Sequence, residues 1–69
     1  MQYVKVEIDE GKAYTYTWDG EDALQVGDWV FCPGNVVRAE EFVGKVIRLL
    51  DGPDPHYKGP YKAVLRVVL

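Results

Sequence analysis

A single cysteine, Cys32, stands in this chain of 69 residues, so no internal disulfide can form. A chain without that staple suits a reducing compartment, and the expected location is cytoplasmic. Long apolar runs are also missing, since none approaches the roughly 20 residues that a membrane helix needs. Residues 1–8 alternate and carry charge, which is the pattern of neither a secretory signal nor a mitochondrial presequence. Basic charge is in short supply: 8 Lys and Arg face 11 Asp and Glu, for a net charge of −3. A protein that coats duplex DNA through many phosphate contacts carries a strongly basic surface, so broad non-specific duplex binding is disfavoured. Catalytic signatures are lacking as well, and no enzyme activity is expected.

Length sets the next bound. Sixty-nine residues suffice for one small domain, residues 1–69, and exclude an enzyme with a separate cofactor domain. Such a chain buries only about 60% of the surface its unfolded form exposes, so its core is thin. Charge is unevenly spread. Residues 1–35 carry two basic and seven acidic residues, a net of −5, whereas residues 36–69 carry six basic and four acidic, a net of +2. A local basic spot in the second half follows from that asymmetry.

The pattern along the chain is one of short strands between turn signals. Residues 3–8 alternate, with Val4, Val6 and Ile8 on one face and Tyr3, Lys5 and Glu7 on the other. Gly11 marks a turn. Residues 13–18 alternate again, with Tyr14, Tyr16 and Trp18 opposite Ala13, Thr15 and Thr17. Aromatic and β-branched residues suit a pleated, half-buried strand. Residues 21–25 form one helical turn or an irregular loop. Residues 29–32 are a third strand, ended by Pro33, Gly34 and Asn35. Residues 36–41 are ambiguous. Within residues 40–50 the apolar spacing fits a helix, but Gly44 among Val43, Val46 and Ile47 favours a strand with a bend or bulge. Residues 51–60 hold three of the four prolines and two glycines, and read as a flexible surface loop. In the last strand, residues 61–68, Ala63, Leu65 and Val67 face one way and Lys62, Val64, Arg66 and Val68 the other. Five short strands, at most one helical turn and so little chain predict an all-β fold. A five-stranded SH3-like barrel fits best, with an OB-like barrel as its neighbour, because closure removes exposed strand edges.

The order of these segments resembles the N-terminal 3′-end DNA-binding domain of the primosomal replication-restart helicase PriA. Val4-Lys5-Val6-Glu7-Ile8 corresponds to the family's first strand, and Tyr14-Thr15-Tyr16 to its aromatic-x-Tyr triplet. The run from Val26-Gly27-Asp28 to Pro33-Gly34 corresponds to the middle segment, with one residue fewer between proline and glycine. Val43-Gly44-Lys45-Val46-Ile47 and the run from Tyr61 to Val68 complete the series. The resemblance spans residues 4–68 and is more specific for fold than for function. It implies a pocket for the last nucleotide of a single-stranded or 3′ DNA end, lined by Tyr14, Thr15, Tyr16, Gly34 and Lys62. A tyrosine would support the base, Gly34 would let backbone approach the ribose, and Lys62 would meet a phosphate. The family's triplet centres on an acidic residue where this chain has Thr15, whose hydroxyl carries no charge. The helicase part has no counterpart in these residues, so unwinding is not implied.

Other roles compete for the same residues. Tyr14, Tyr16, Trp18, Trp29 and Phe31 can form a binding groove or fill the core, and at least three of the five are expected inside. Lys62 and Arg66, with Arg48 near them, make a phosphate strip or a solvated face paired with Glu7 or Asp28. Cys32 with His56 as base lacks an acidic orienter, so Cys32 is expected to be a buried structural thiol. His56 with Asp51 and Asp54 is too few ligands for a metal centre, and neither metal nor cofactor is expected. The alternative to DNA-end binding is an SH3-like module for a protein partner, an accessory or adaptor protein of a phage or other mobile element being one form of it.

Overall fold

A computed structural model of the chain describes residues 1–34, 39–57 and 59–69. Asn35 of the expected turn, residues 36–38 of the ambiguous stretch and Lys58 of the proline-rich loop lie outside the described residues. The fold is all-β. Its strands are β1 (Gln2–Asp9), β2 (Lys12–Trp18), β3 (Trp29–Cys32), β4 (Phe42–Leu50), β5 (Lys62–Ala63) and β6 (Arg66–Val67). Among the described residues there is no helix, and so none that is long and apolar enough to cross a membrane. Residues 21–25 take the irregular alternative, and residues 42–50 are strand rather than helix.

The strands form one curled sheet in the order β5-β2-β1-β4-β3-β6. β1 and β2 make an antiparallel hairpin whose turn uses Gly11 at φ 76°, a conformation that costs glycine little. An extra residue, Ile8, sits between the Glu7–Ala13 and Asp9–Lys12 pairs. On the other side of β1, β4 runs antiparallel and carries its own extra residue, Ile47, between the pairs Lys5–Arg48 and Val6–Val46. Such bulges increase local twist and help a short sheet to curl.

The single terminal strand expected over residues 61–68 is instead two short ones. β5 pairs parallel with β2, through Tyr16–Lys62 and Thr17–Ala63, while β6 pairs antiparallel with β3, through Phe31–Arg66 and Val30–Val67. The break has a physical cause, because one ribbon must leave one edge of the sheet and join the other. The Val64 amide donates to the Thr17 carbonyl at 2.8 Å, and the Leu65 amide donates to the Phe31 carbonyl at 2.9 Å. The terminal ribbon thereby bridges the two edges and closes a small barrel. Alternation is disturbed where the ribbon crosses: Val64 is buried, the next two residues, Leu65 and Arg66, are both exposed, and Val67 is half-buried.

The interior is made by Val4, Val6, Tyr16, Leu24, Val30, Cys32, Phe42, Val46 and Val64, with Ile8, Trp18 and Val67 packed against them. Fully burying a valine or leucine contributes about 1.5–3 kcal/mol, so these few side chains carry most of the apolar stabilisation. The aromatic load is distributed differently from expectation. Of Tyr14, Tyr16, Trp18, Trp29 and Phe31, only Tyr16 is buried; Trp18 and Phe31 are half-buried, and Tyr14 and Trp29 are exposed. Leu24, 1% exposed, joins the core from the segment between β2 and β3. Its loop is tied to β1 by the Gln2 amide, which donates to the Leu24 carbonyl at 3.0 Å and accepts from the Leu24 amide at 2.8 Å.

Candidate functional site

The hairpin register places Lys5 beside Thr15 on the outer face of β1 and β2. Both would be solvated on a bare sheet. The proline-rich segment covers them, and Thr15 and Thr17 are buried along with Asp54. Asp54 is the anchor. Its Oδ2 accepts from Lys5 Nζ at 2.6 Å and from the Thr15 hydroxyl at 2.9 Å, while Oδ1 accepts from the His56 amide at 2.8 Å. The charge-assisted bond from Lys5, then the His56 amide and the Thr15 hydroxyl, hold its carboxyl far below the usual carboxylate range despite the opposing effect of burial. Three aromatic rings complete the cover. Tyr61 meets Tyr3 edge-on at 5.5 Å and Tyr57 edge-on at 5.3 Å, and the Tyr57 hydroxyl donates to the Pro60 carbonyl at 2.9 Å. The Tyr61 hydroxyl donates to the Tyr57 carbonyl. The segment expected to be a flexible surface loop is thus tied down, and Asp54 serves as an ion-pair acceptor. Among the described residues no group of three His, Cys, Asp or Glu side chains is placed to hold a metal.

β5 covers the edge of β2 only at Tyr16 and Thr17. Beyond that point, residues 13–15 border an open pocket of about 420 Å³ between the β2 edge and the anchored loop. Such a volume lies at the low end of the roughly 300–1,000 Å³ usual for small-ligand clefts, and suits one compact group. Tyr14 stands on one side, 53% exposed, and Tyr57 on the other, 48% exposed, with Pro60 beside it. Thr15, Tyr16 and Asp54 form the floor, and Lys5 and Lys62 supply positive charge. Two ammonium groups against one carboxylate leave a net charge of +1 at the site.

Four of the five residues proposed from the sequence, Tyr14, Thr15, Tyr16 and Lys62, line this one pocket. Gly34 adjoins it through its carbonyl, which accepts from Lys62 Nζ at 3.0 Å. Their parts differ. Lys62 is exposed, and an ammonium has three donors, so two remain for a ligand. Among the described residues no ring or cation packs on the Tyr14 ring. Thr15, by contrast, has both hydroxyl functions in use, donating to Asp54 and accepting from Lys5 Nζ at 3.2 Å. Tyr16 turns inward beside Cys32, where burial first and then the neighbouring thiol push its hydroxyl pKa up. Thr15 and Tyr16 therefore shape the pocket floor, while Tyr14 and Lys62 face the opening.

Lys5, Tyr57 and Pro60 were not singled out from the sequence, and Asp54 was weighed there only as a metal ligand beside His56 and Asp51. One local signal existed for Asp54: an aspartate whose side chain accepts from the amide two residues on makes an Asx-turn, and Asp54-Pro55-His56 has that form. Arg48 is not part of a strip with Lys62 and Arg66. It pairs across from Lys5, because β4 lies between β1 and β3 and adjoins neither half of the terminal ribbon. Arg66 pairs with Glu41 at 3.0 Å, not with Glu7 or Asp28. Cys32 is fully buried, and burial pushes its thiol up to about 11, so it is protonated at neutral pH and shielded from reagents. Comparisons with protein-family models, curated proteins and solved structures find no match to this chain.

Proposed function

We propose that this protein is a small, non-enzymatic binding module that takes the terminal nucleotide of single-stranded DNA, with the 3′ end as the favoured terminus, in the pocket between β2 and the proline-rich loop. One observation carries the proposal: Tyr14 and Lys62, far apart in sequence, border the same pocket, an exposed aromatic ring beside an ammonium with unused donors. A nucleotide presents the complementary pair, a flat base and an anionic phosphate. Base–aromatic stacking contributes about 1–3 kcal/mol, and the net charge of +1 attracts the phosphate. The limited volume favours an end over the middle of a strand. The ordered likeness to the 3′-end-binding domain selects that end.

The test is fluorescence anisotropy with short oligonucleotides that end in a 3′-hydroxyl or a 3′-phosphate. The expected result is preference for the hydroxyl end, as the likeness to the 3′-end-binding domain implies, lost in Lys62→Glu without loss of fold. Equal millimolar binding of both ends defeats the proposal. In that event, a protein partner that survives nuclease treatment in a pull-down from lysate would replace it by the SH3-like interaction module.

A further inference from the structure

The outer face of β3, β4 and β6 holds aromatic rings that the core does not use. Trp29 and Phe31 lie two residues apart on this face, roughly 6.6 Å along the strand. Trp29 is 51% exposed. Each ring carries a cation: Arg66 sits 4.3 Å above the centre of Phe31, and Lys45 Nζ 5.7 Å from the centre of Trp29. Exposed Val43 pairs with Phe31 across the ladder and extends the apolar surface.

The terminal ribbon connects this face to the pocket. Lys62 and Arg66 are both exposed on it, four residues and so at most about 14 Å apart along the chain. Gly34, which accepts from Lys62, follows Phe31 by three residues. Lys62, Arg66 and Lys45 thus mark a cationic path, and the last two lie against aromatic faces. Phosphates beside cations and bases beside rings are the requirements of a single-strand track. We infer that Phe31 with Arg66 and Trp29 with Lys45 form a second binding site, which takes the nucleotides preceding the terminal one on the same single strand. The inference rests on the proposed end pocket and extends it. Glu41 competes for this site, since its carboxylate holds the Arg66 guanidinium at 3.0 Å and must yield it to an incoming phosphate.

The experiment compares thymidine oligonucleotides of two and six residues with free 3′-hydroxyls, by anisotropy and by tryptophan fluorescence, on the intact chain. The six-residue strand should bind at least tenfold more tightly than the two-residue strand and should quench Trp29, which the shorter one leaves bright. Trp29→Ala should weaken the longer strand about 5- to 150-fold and leave the shorter within twofold. Phe31→Leu, which keeps an apolar side chain in place, should act the same way and guards against a folding artefact. Glu41→Gln should tighten the longer strand severalfold. Equal affinity for the two lengths, or no effect of Trp29→Ala on the longer one, overturns this inference while dependence on Lys62 sustains the pocket. Short-strand binding indifferent to Lys62→Ala, with the longer strand still sensitive to Trp29→Ala, overturns the pocket and retains the track. Absence of binding at both lengths overturns both and gives the exposed face to a protein partner.

Discussion

Gly44 allows the sharpest calculation of what closure of this barrel demands. It is buried in the middle of β4, opposite Val30 of β3. A Cβ placed there would lie 2.5 Å from Val6 Cγ1 and 3.0 Å from the Glu7 carbonyl oxygen. Carbon atoms rest comfortably at about 3.5–4.0 Å, so Val6 would have to retreat by roughly 1 Å. Val6 has no exposed surface, and the second neighbour is backbone, so the retreat disturbs a packed interior. Overpacking of this kind costs about 1–3 kcal/mol, offset by about 0.4–1 kcal/mol from the stiffer unfolded chain of an alanine variant. The whole domain is stabilised by roughly 3–10 kcal/mol, so Gly44→Ala removes a large part of it. The melting temperature should fall by about 4–8 °C for each kcal/mol lost. Urea denaturation of Gly44→Ala, Val6→Ala and the double variant checks the cause. Removing the Val6 γ-carbons relieves the closest contact, so the second substitution should cost about 1 kcal/mol less in the Val6→Ala background than alone. Additive losses, or a Gly44→Ala protein as stable as the parent, would refute the close-approach explanation.

Four further outcomes follow from the same geometry. Leu24→Ala should lose about 2–5 kcal/mol in urea titration, because this loop side chain is 1% exposed and helps fill the barrel. The Cys32 thiol is pushed up to about 11 from about 9, so its contribution is complete well below pH 9 and is lost as pH rises toward 11; stability should drop by roughly 1 kcal/mol by pH 10, a loss reduced in Cys32→Ala. Asp54 has the opposite sign: its carboxyl is held low in the fold, so its contribution is present above about pH 4 and lost as pH falls below it. Melting curves of the parent and Asp54→Asn should accordingly differ at neutral pH and converge in acid. Lys62→Met should weaken a 3′-hydroxyl oligonucleotide about 10- to 100-fold and reduce the slope of log affinity against log salt by about 0.7, as expected for the loss of one charge-assisted phosphate contact.

The hairpin was legible because its two strands alternate and Gly11 separates them; observed β1 and β2 differ from the expected spans by at most one residue at each end. β4 was legible through β-branched Val43, Val46 and Ile47, although the bulge lies at Ile47 and Gly44 serves close approach instead. The break in the last strand was not legible. Alternation reports which face a residue takes in a continuous ladder, and residues 62–67 change partner between β2 and β3. Aromatic burial differs from expectation because β3 alternates with Val30 and Cys32 as its buried positions, which leaves Trp29 and Phe31 on the outer face. The order of Asp54 was hidden for another reason. Its chief partner, Lys5, lies 49 residues away and comes near only once the loop folds over the outer face of the hairpin.

Barrel closure and the candidate site depend on the same six residues. The ribbon from Lys62 to Val67 bridges the two sheet edges, and its first side chain borders the pocket. A ligand drawn to Lys62 would hold the ribbon against β2 and so favour the closed barrel over any state in which that edge opens. Binding only the folded form stabilises it by RT ln(1 + [L]/Kd), about 2.7 kcal/mol at a hundredfold excess over Kd. For a domain with roughly 3–10 kcal/mol in hand, that is a substantial gain. The thin core is therefore where occupancy of the pocket would register most strongly. Amide protection at Val64 and Leu65, whose hydrogen bonds fasten the ribbon to Thr17 and Phe31, is the local measure of that coupling.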